Sequence, residues 1–415
     1  MKPSIKTLLL ASALIAYLTA FYSCSNSTNN NTPIIDVKSV IGKGAIHNTS
    51  EFIKDIKYVP LETGPNSMVG NIVKIVVQND RIYISDNQGK INIFDTDGRY
   101  LNTLNKKGRG PQEYLRVTDY TVDPAGSIFI LSELDGIVEY NSNLEFVEKT
   151  SFNSDSNNIY YWDILLLKKG LFVSNVYDLR SFDTGYKQAL TIYNDSLEVR
   201  VSYSTELISN NPASIRRMPY EYYIYNGDLV IYRMVSDTIS SIDIDNNYLK
   251  SVKYILNYGG YALTEEIMRT EDIYIDANHI SLNKLMETDN YLFMSLDFMN
   301  LAPEPFYKKD VSSIFYREDS KSIFDRNSYV NAIYNKKSDK FVLLNQPYTG
   351  ALGLKDDIIG GAPFWPRIIT QKQELVTWHN TFELISLAEE GKIDKSLVAN
   401  LKEGDNPIIV IATPK

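Results

Sequence analysis

Residues 72–104 read IVKIVVQNDRIYISDNQGKINIFDTDGRYLNTL. Ile72-Val73-Lys74-Ile75-Val76-Val77 is rich in β-branched residues, which fit a pleated surface, and reads as a strand. Gln78-Asn79-Asp80 is a turn. Arg81-Ile82-Tyr83-Ile84 alternates apolar and polar, as a half-buried strand does. Asp86-Asn87-Gln88-Gly89 breaks it, and Lys90-Ile91-Asn92-Ile93-Phe94 alternates again. Asp95-Thr96-Asp97-Gly98 is a hairpin turn, with glycine where a positive φ is needed. Arg99–Leu104 is a fourth strand. Four antiparallel strands joined by tight turns make one blade of a β-propeller.

The pattern repeats outward from there. Tyr120–Leu131 and Ile137–Val147 form strand, turn and strand again. Further runs lie at Ile164–Asn175 with Ala189–Tyr203, and at Tyr222–Tyr258, Lys284–Phe315 and Phe341–Ser386. Helical periodicity is confined to Phe382–Leu401, where Leu384, Leu387, Ala388 and Leu401 share a face, and to a short stretch at Ala262–Arg269. The expected fold is all-β: a closed propeller of four-stranded antiparallel blades over 51–415, with one C-terminal helix. Length alone leaves six and seven blades open. A closed ring must hide the edge of its last blade, so one or both of the β runs Phe52–Leu61 and Pro407–Thr413 are expected to complete it.

The N-terminus reads as a leader. Lys2 and Lys6 precede the apolar run Leu8–Phe21, which is shorter than the roughly 20 residues that span a bilayer. The run ends at Ser23-Cys24, a small residue before a cysteine. This predicts a lipoprotein signal peptide over 1–23, with lipid on Cys24. The alternative is an ordinary cleaved leader with an incidental cysteine. Ser25–Thr32 is polar, uncharged and of low complexity. It extends the expected tether, a flexible segment over 24–50.

Composition narrows function. The chain has 415 residues and a net charge of −9, and losing Lys2 and Lys6 with the leader makes it more negative. A phosphate backbone is repelled, so no nucleic-acid partner is expected. Cys24 is the one cysteine, so the folded part has no thiol for a disulfide, a nucleophile or a metal. His47, His279 and His379 form no ligand-spaced pair, and no metal or cofactor is expected. Asp95-Thr96-Asp97-Gly98 lacks the further acids of a calcium loop. No nucleophile elbow, phosphate loop or dinucleotide fingerprint is present. Of the 30 tyrosines, Tyr160-Tyr161-Trp162 and Tyr220–Tyr225 stand out. They suit either an aromatic platform for sugars or peptides, or plain β-propensity.

Several segments resemble a known group. Ile82–Gly98 followed by Gly108-Arg109-Gly110-Pro111-Gln112-Glu113-Tyr114 is similar to an NHL repeat. It resembles more closely the six-bladed β-propeller lipoproteins of Gram-negative gut and oral bacteria. Tyr58-Val59-Pro60-Leu61-Glu62-Thr63, Ser236-Asp237-Thr238, Pro363-Phe364-Trp365-Pro366 and Asp405-Asn406-Pro407 match the same group. The resemblance implies six blades and an outer-membrane lipoprotein, periplasmic or surface-facing, with no known reaction. The expected function is a membrane-anchored binding or interaction module for a carbohydrate, a peptide or an envelope protein. The rival is an NHL-type lyase or hydrolase working at the central channel.

The binding face follows from blade geometry. The turn between strands two and three shares a face with the link to the next blade. This points to Asp86, Asn87, Arg109, Glu113 and Tyr114, joined by Arg116, Tyr160, Trp162 and Trp365 from later links. Arg109 and Glu113 are expected to be accessible and to border the largest cavity. The competing expectation is that Gly108–Pro111 is a tight link and Tyr114 a wedge between blades.

Overall fold

The computed structural model describes residues 32–132, 135–152, 159–178, 186–207, 218–269, 278–302, 329–348 and 351–415. Ile34–Lys415 is one compact unit and Met1–Pro33 another, so the leader and Cys24 lie outside the described residues.

Six antiparallel sheets follow one another along the chain as the blades of a propeller. Blade one is Ile72–Gln78, Arg81–Asp86, Ile91–Asp95 and Tyr100–Leu104, as the alternation predicts. Blade two runs from Asp119–Val122 to Phe146–Thr150. In blade three the innermost strand is broken into Ile159–Tyr161 and Leu165–Lys168, which pair with opposite ends of Leu171–Asp178. Blade four runs from Glu221–Tyr225 to Leu249–Leu256, and blade five from Ser281–Glu287 to Lys340–Leu343. Blade six takes Ile368–Ile369, Leu375–His379 and Ile408–Pro414 from the C-terminus and Ile53–Pro60 from the N-terminus.

Both chain ends therefore close the ring. Ile53–Pro60 lies antiparallel to Ile408–Pro414, with Ile56 opposite Ala412 and Val59 opposite Ile409. The last strand gains a partner along its length, so its edge is not left open. Asn406 latches the junction. Its Oδ1 accepts from Val69 N at 2.9 Å, and its Nδ2 donates to Glu62 O and Ser67 O, each at 2.8 Å.

A hydrophobic cluster fills each gap between neighbouring blades. Tyr83, Ile93, Tyr120 and Val138 join blades one and two, and Leu131, Ile164 and Phe172 join two and three. Val173 and Ile231 join three and four, and Val230 and Leu292 join four and five. Phe293 and Val410 join five and six, and Ile84 and Ile409 join six and one. Each strand thus buries both faces at a blade's centre, and the ring is one continuous core.

Turn chemistry is as the sequence implies. Asp95 Oδ1 accepts from Asp97 N and Arg99 N, and Gly98 has φ +86°. A Cβ at Gly98 would meet Pro60 O at 2.1 Å, so the glycine also lets the N-terminal strand approach.

Two expectations are corrected. The C-terminal helix is not continuous over 382–401. It covers Thr381–Glu389, opened by an Asn380/Glu383 capping box, and a short 3-10 turn follows at Lys395–Val398. Gly391 lies between them at φ +71°, a left-handed position that ends the helix. It is also one of a few helices, with Thr49–Phe52 and Glu265–Arg269. The tether is the second correction, since residues 34–50 pack against the blades. Ile34–Ile35 pairs in parallel with the outermost strand of blade four, and Ile35 and Val37 are buried. Ala45 then bridges to Leu344 and Asn48 to Lys355.

Candidate functional site

The blade links and the turns between second and third strands share one face. In blade one they touch: the Tyr114 hydroxyl donates to Gly89 O at 3.1 Å. Every innermost strand begins at this face and runs along the ring's axis. The innermost strands of blades one and two, two and three, four and five, and five and six are in contact. Side chains span the other two junctions. Asn175 Nδ2 donates to Tyr220 O at 2.9 Å, and Gln78 Nε2 to Gln371 Oε1 at 3.1 Å.

Each innermost strand carries a charged residue at or close to its start, except in blades three and five, where the residue sits midway along. The six are Lys74, Asp119, Asp163, Glu221, Lys284 and Arg367, one per blade. Acids thus occupy blades two to four, and cations blades five, six and one. The first half of this ring is internally satisfied. Lys74 Nζ lies 2.7 Å from Asp119 Oδ1, and Asp119 Oδ2 accepts from Ile164 N at 2.9 Å. Asp163 sits at the break in blade three's innermost strand and bridges it to the second strand. Its oxygens accept from Asn175 N at 2.6 Å and Asn175 Nδ2 at 2.7 Å. Burial pushes this carboxyl up to about 6, against the pull of the Asn175 and Tyr222 donors.

The second half is different. Glu221, Lys284 and Arg367 are solvent-exposed, yet protein crowds them. Enclosure raises the Glu221 carboxyl, with Lys284 opposing, and lowers the Lys284 ammonium, with Glu221 opposing. It also lowers the Arg367 guanidinium, which lies over the Trp378 ring at 4.3 Å. Among the described residues, none of these three groups has a hydrogen bond or ion pair.

The residues singled out in the sequence divide into three groups. Trp162, Trp365 and Arg116 flank the charged ring. Trp162 is 50% exposed and immediately precedes Asp163; Trp365 is two residues before Arg367 and donates from Nε1 to Ser295 Oγ at 3.0 Å. Arg116 is exposed at the entrance to blade two, and Tyr160 is half-buried in blade three. Asn87 and Arg109 are exposed on their loops, and Asn87 N donates to Asn71 O just before blade one's innermost strand.

Asp86, Glu113 and Tyr114 serve the backbone. Asp86 is buried and accepts from Gln88 N and Gly70 N, and Glu113 closes the link by accepting from Gly110 N at 2.7 Å. Tyr114 corrects the ligand-face expectation. It is fully buried between blades one and two, edge-on to Tyr140 at 6.3 Å, because its ring fills the gap that the glycine-rich link leaves.

Two cavities open elsewhere. One of about 390 Å³ lies between blades two and three and is lined by Asp123, Glu139, Glu148 and Phe172. One of about 420 Å³ lies between blades six and one and is lined by Lys57, Asp80, Thr96 and Gln371. Arg109 and Glu113 border neither, and Thr96 belongs to the hairpin turn of the opposite face. The expectation that they border the largest cavity is not met by these two. Among the described residues, no three His, Cys, Asp or Glu side chains cluster as metal ligands. The aromatic run 220–225 also turns inward. The Tyr223 hydroxyl donates to Glu287 Oε2 at 2.8 Å, so β-packing rather than a platform accounts for it.

The family profile described as domain of unknown function DUF4934 matches residues 32–413. The chain belongs to this family. A Bacteroides fragilis protein with the provisional description of an exported protein has a similar fold, with a TM-score of 0.63 at 16% identity. The alignment covers 92% of the DUF4934 chain and 99% of that one. A Bacteroides vulgatus member of the DUF4221 family aligns with a TM-score of 0.48 at 12% identity, over 88% and 97% of the two chains. No curated protein matches the chain. Among the described residues, no helix is long and apolar enough to cross a membrane.

Proposed function

We propose that this chain is an exported lipoprotein, anchored to the outer membrane through Cys24, that binds a ligand at the channel mouth on the link face. One observation carries the binding half: Glu221, Lys284 and Arg367 stand exposed on the innermost strands of three successive blades, and among the described residues none of the three side chains has a hydrogen bond or salt bridge. Exposed charges that no neighbouring group engages are open to a ligand that carries complementary charge. Trp162 and Trp365 add apolar walls beside the ring, as binding sites commonly do. Arg116 and Tyr160 extend the same rim. The anchoring half rests on the leader and on Ser23-Cys24. The provisional description of the Bacteroides fragilis neighbour agrees with export.

A thermal-shift screen of envelope-derived peptides and glycans tests the site. Hits should vanish in the Glu221→Gln/Lys284→Gln/Arg367→Gln variant. They should persist in Lys372→Gln, which alters the opposite face. Hits that survive the triple variant would place binding elsewhere.

A further inference from the structure

We infer that the channel mouth takes an amino-carboxylate, a free α-amino acid or a dipeptide, with its carboxylate between Lys284 and Arg367 and its ammonium on Glu221. The inference rests on the proposed binding role of the mouth and adds the chemistry of the ligand. Elimination leads to it. Lys74, Asp119 and Asp163 already hold partners, so the groups left to a ligand are one carboxylate and two cations on three successive blades. A simple anion would satisfy the cations and leave Glu221 facing like charge. A simple cation would meet Lys284 and Arg367. A neutral sugar would leave the net positive charge of the set unanswered. A ligand carrying both signs, its anion toward blades five and six, satisfies the whole set.

The second half of the ring is also shaped for a carboxylate. The Arg367 guanidinium lies over the Trp378 ring at 4.3 Å, and a guanidinium can grip two carboxylate oxygens at once. Lys284 adds a point charge from the next blade. Trp365, two residues before the arginine, is half-buried, bonded to Ser295 and packed on Phe293 between blades five and six.

The test uses the Cys24→Ala protein and isothermal titration. The probes are the twenty protein amino acids and alanyl-alanine. The controls are the N-acetyl and amide derivatives of the tightest binder, each lacking one charge. A zwitterion should bind, and each one-charge derivative should bind at least tenfold more weakly. Glu221→Gln should weaken the zwitterion tenfold or more and leave the N-acetyl derivative unchanged. Arg367→Gln should weaken the zwitterion and the N-acetyl derivative alike, with Arg367→Lys between it and wild type. If the N-acetyl derivative binds as tightly as the zwitterion and is lost in Arg367→Gln, the mouth is a binding site for anions and the amino-carboxylate inference is overturned. If no probe binds at millimolar concentration, the inference is overturned as well. The binding role of the mouth then stands or falls on the peptide and glycan screen.

Discussion

Replacing Glu287 by glutamine should cost this ring about 3–5 kcal/mol of stability. Glu287 ends the innermost strand of blade five and is 1% exposed. Its carboxylate accepts from the Tyr223 and Tyr254 hydroxyls at 2.8 and 3.0 Å, and from Lys253 Nζ and Lys336 Nζ at 2.8 and 2.6 Å. Four groups from blades four and five thus converge on one buried charge. The Tyr225 ring lies between the two lysines, 4.1 and 4.3 Å from their nitrogens. Both lysine side chains are under 20% exposed, so water cannot replace the lost carboxylate.

Glutamine keeps the volume and removes the charge, which leaves two ammonium groups held together without a counterion. For an ordered ring of this size, unfolding entropy is roughly 0.8 kcal/mol per kelvin, so Tm should fall by about 5 °C. Differential scanning calorimetry reads this directly. Glu287→Leu combined with Lys253→Met and Lys336→Met should recover most of the loss, since no charge is then stranded. A glutamine variant melting within about 1 °C of wild type would refute the reasoning.

Tyr114→Ala should cost about 3–5 kcal/mol in urea unfolding, because the ring is a wedge between blades one and two; a stability change below about 1 kcal/mol would return Tyr114 to the ligand face. His379 is pushed down to about 4, by burial first and by Arg367 second. The unfolded chain takes up that proton first as pH falls, so stability present above about 6.5 drains away toward about 4. Histidine NMR should show a neutral His379 ring at pH 6, and a protonated one would contradict the assignment. Cys24→Ala should release the protein from membranes or leave its leader uncut. A processed variant that still sediments with membranes would rule out the lipid anchor.

What was legible in the sequence is what is local. The Asp95–Gly98 turn makes its hydrogen bonds within five residues, so residue identity alone announces it. Strand alternation in blade one is equally local. Ring closure was legible because a free strand edge must be covered, and only two β runs lay outside the blades. The helix end was not, because Gly391 interrupts a face whose apolar spacing continues past it. Nor was the wrap of residues 34–50, because its apolar residues, Ile34, Ile35, Val37, Val40 and Ile41, form a run too short to read as an element of its own.

The candidate site was half legible. Blade geometry pointed to the link face and to Trp162 and Trp365, the same face on which the proposed site is built. The six charges beside them escaped, because each looks like an ordinary solvated residue until the topology gathers one from every blade. A sequence signal does exist: a charged residue recurs in the first half or at the middle of each innermost strand. It becomes readable only once those starts are known, and the broken strand around Asp163 hides one of them.

Hydrogen–deuterium exchange with the tightest ligand found for the wild-type chain tests the central claim most directly. Binding at the mouth should slow exchange near the starts of the innermost strands of blades four, five and six, in peptides spanning 219–223, 282–286 and 365–369. The opposite ends, at 78–81 and 370–374, should be unaffected. Protection confined to those opposite ends, or to the cavity between blades two and three, would contradict the account.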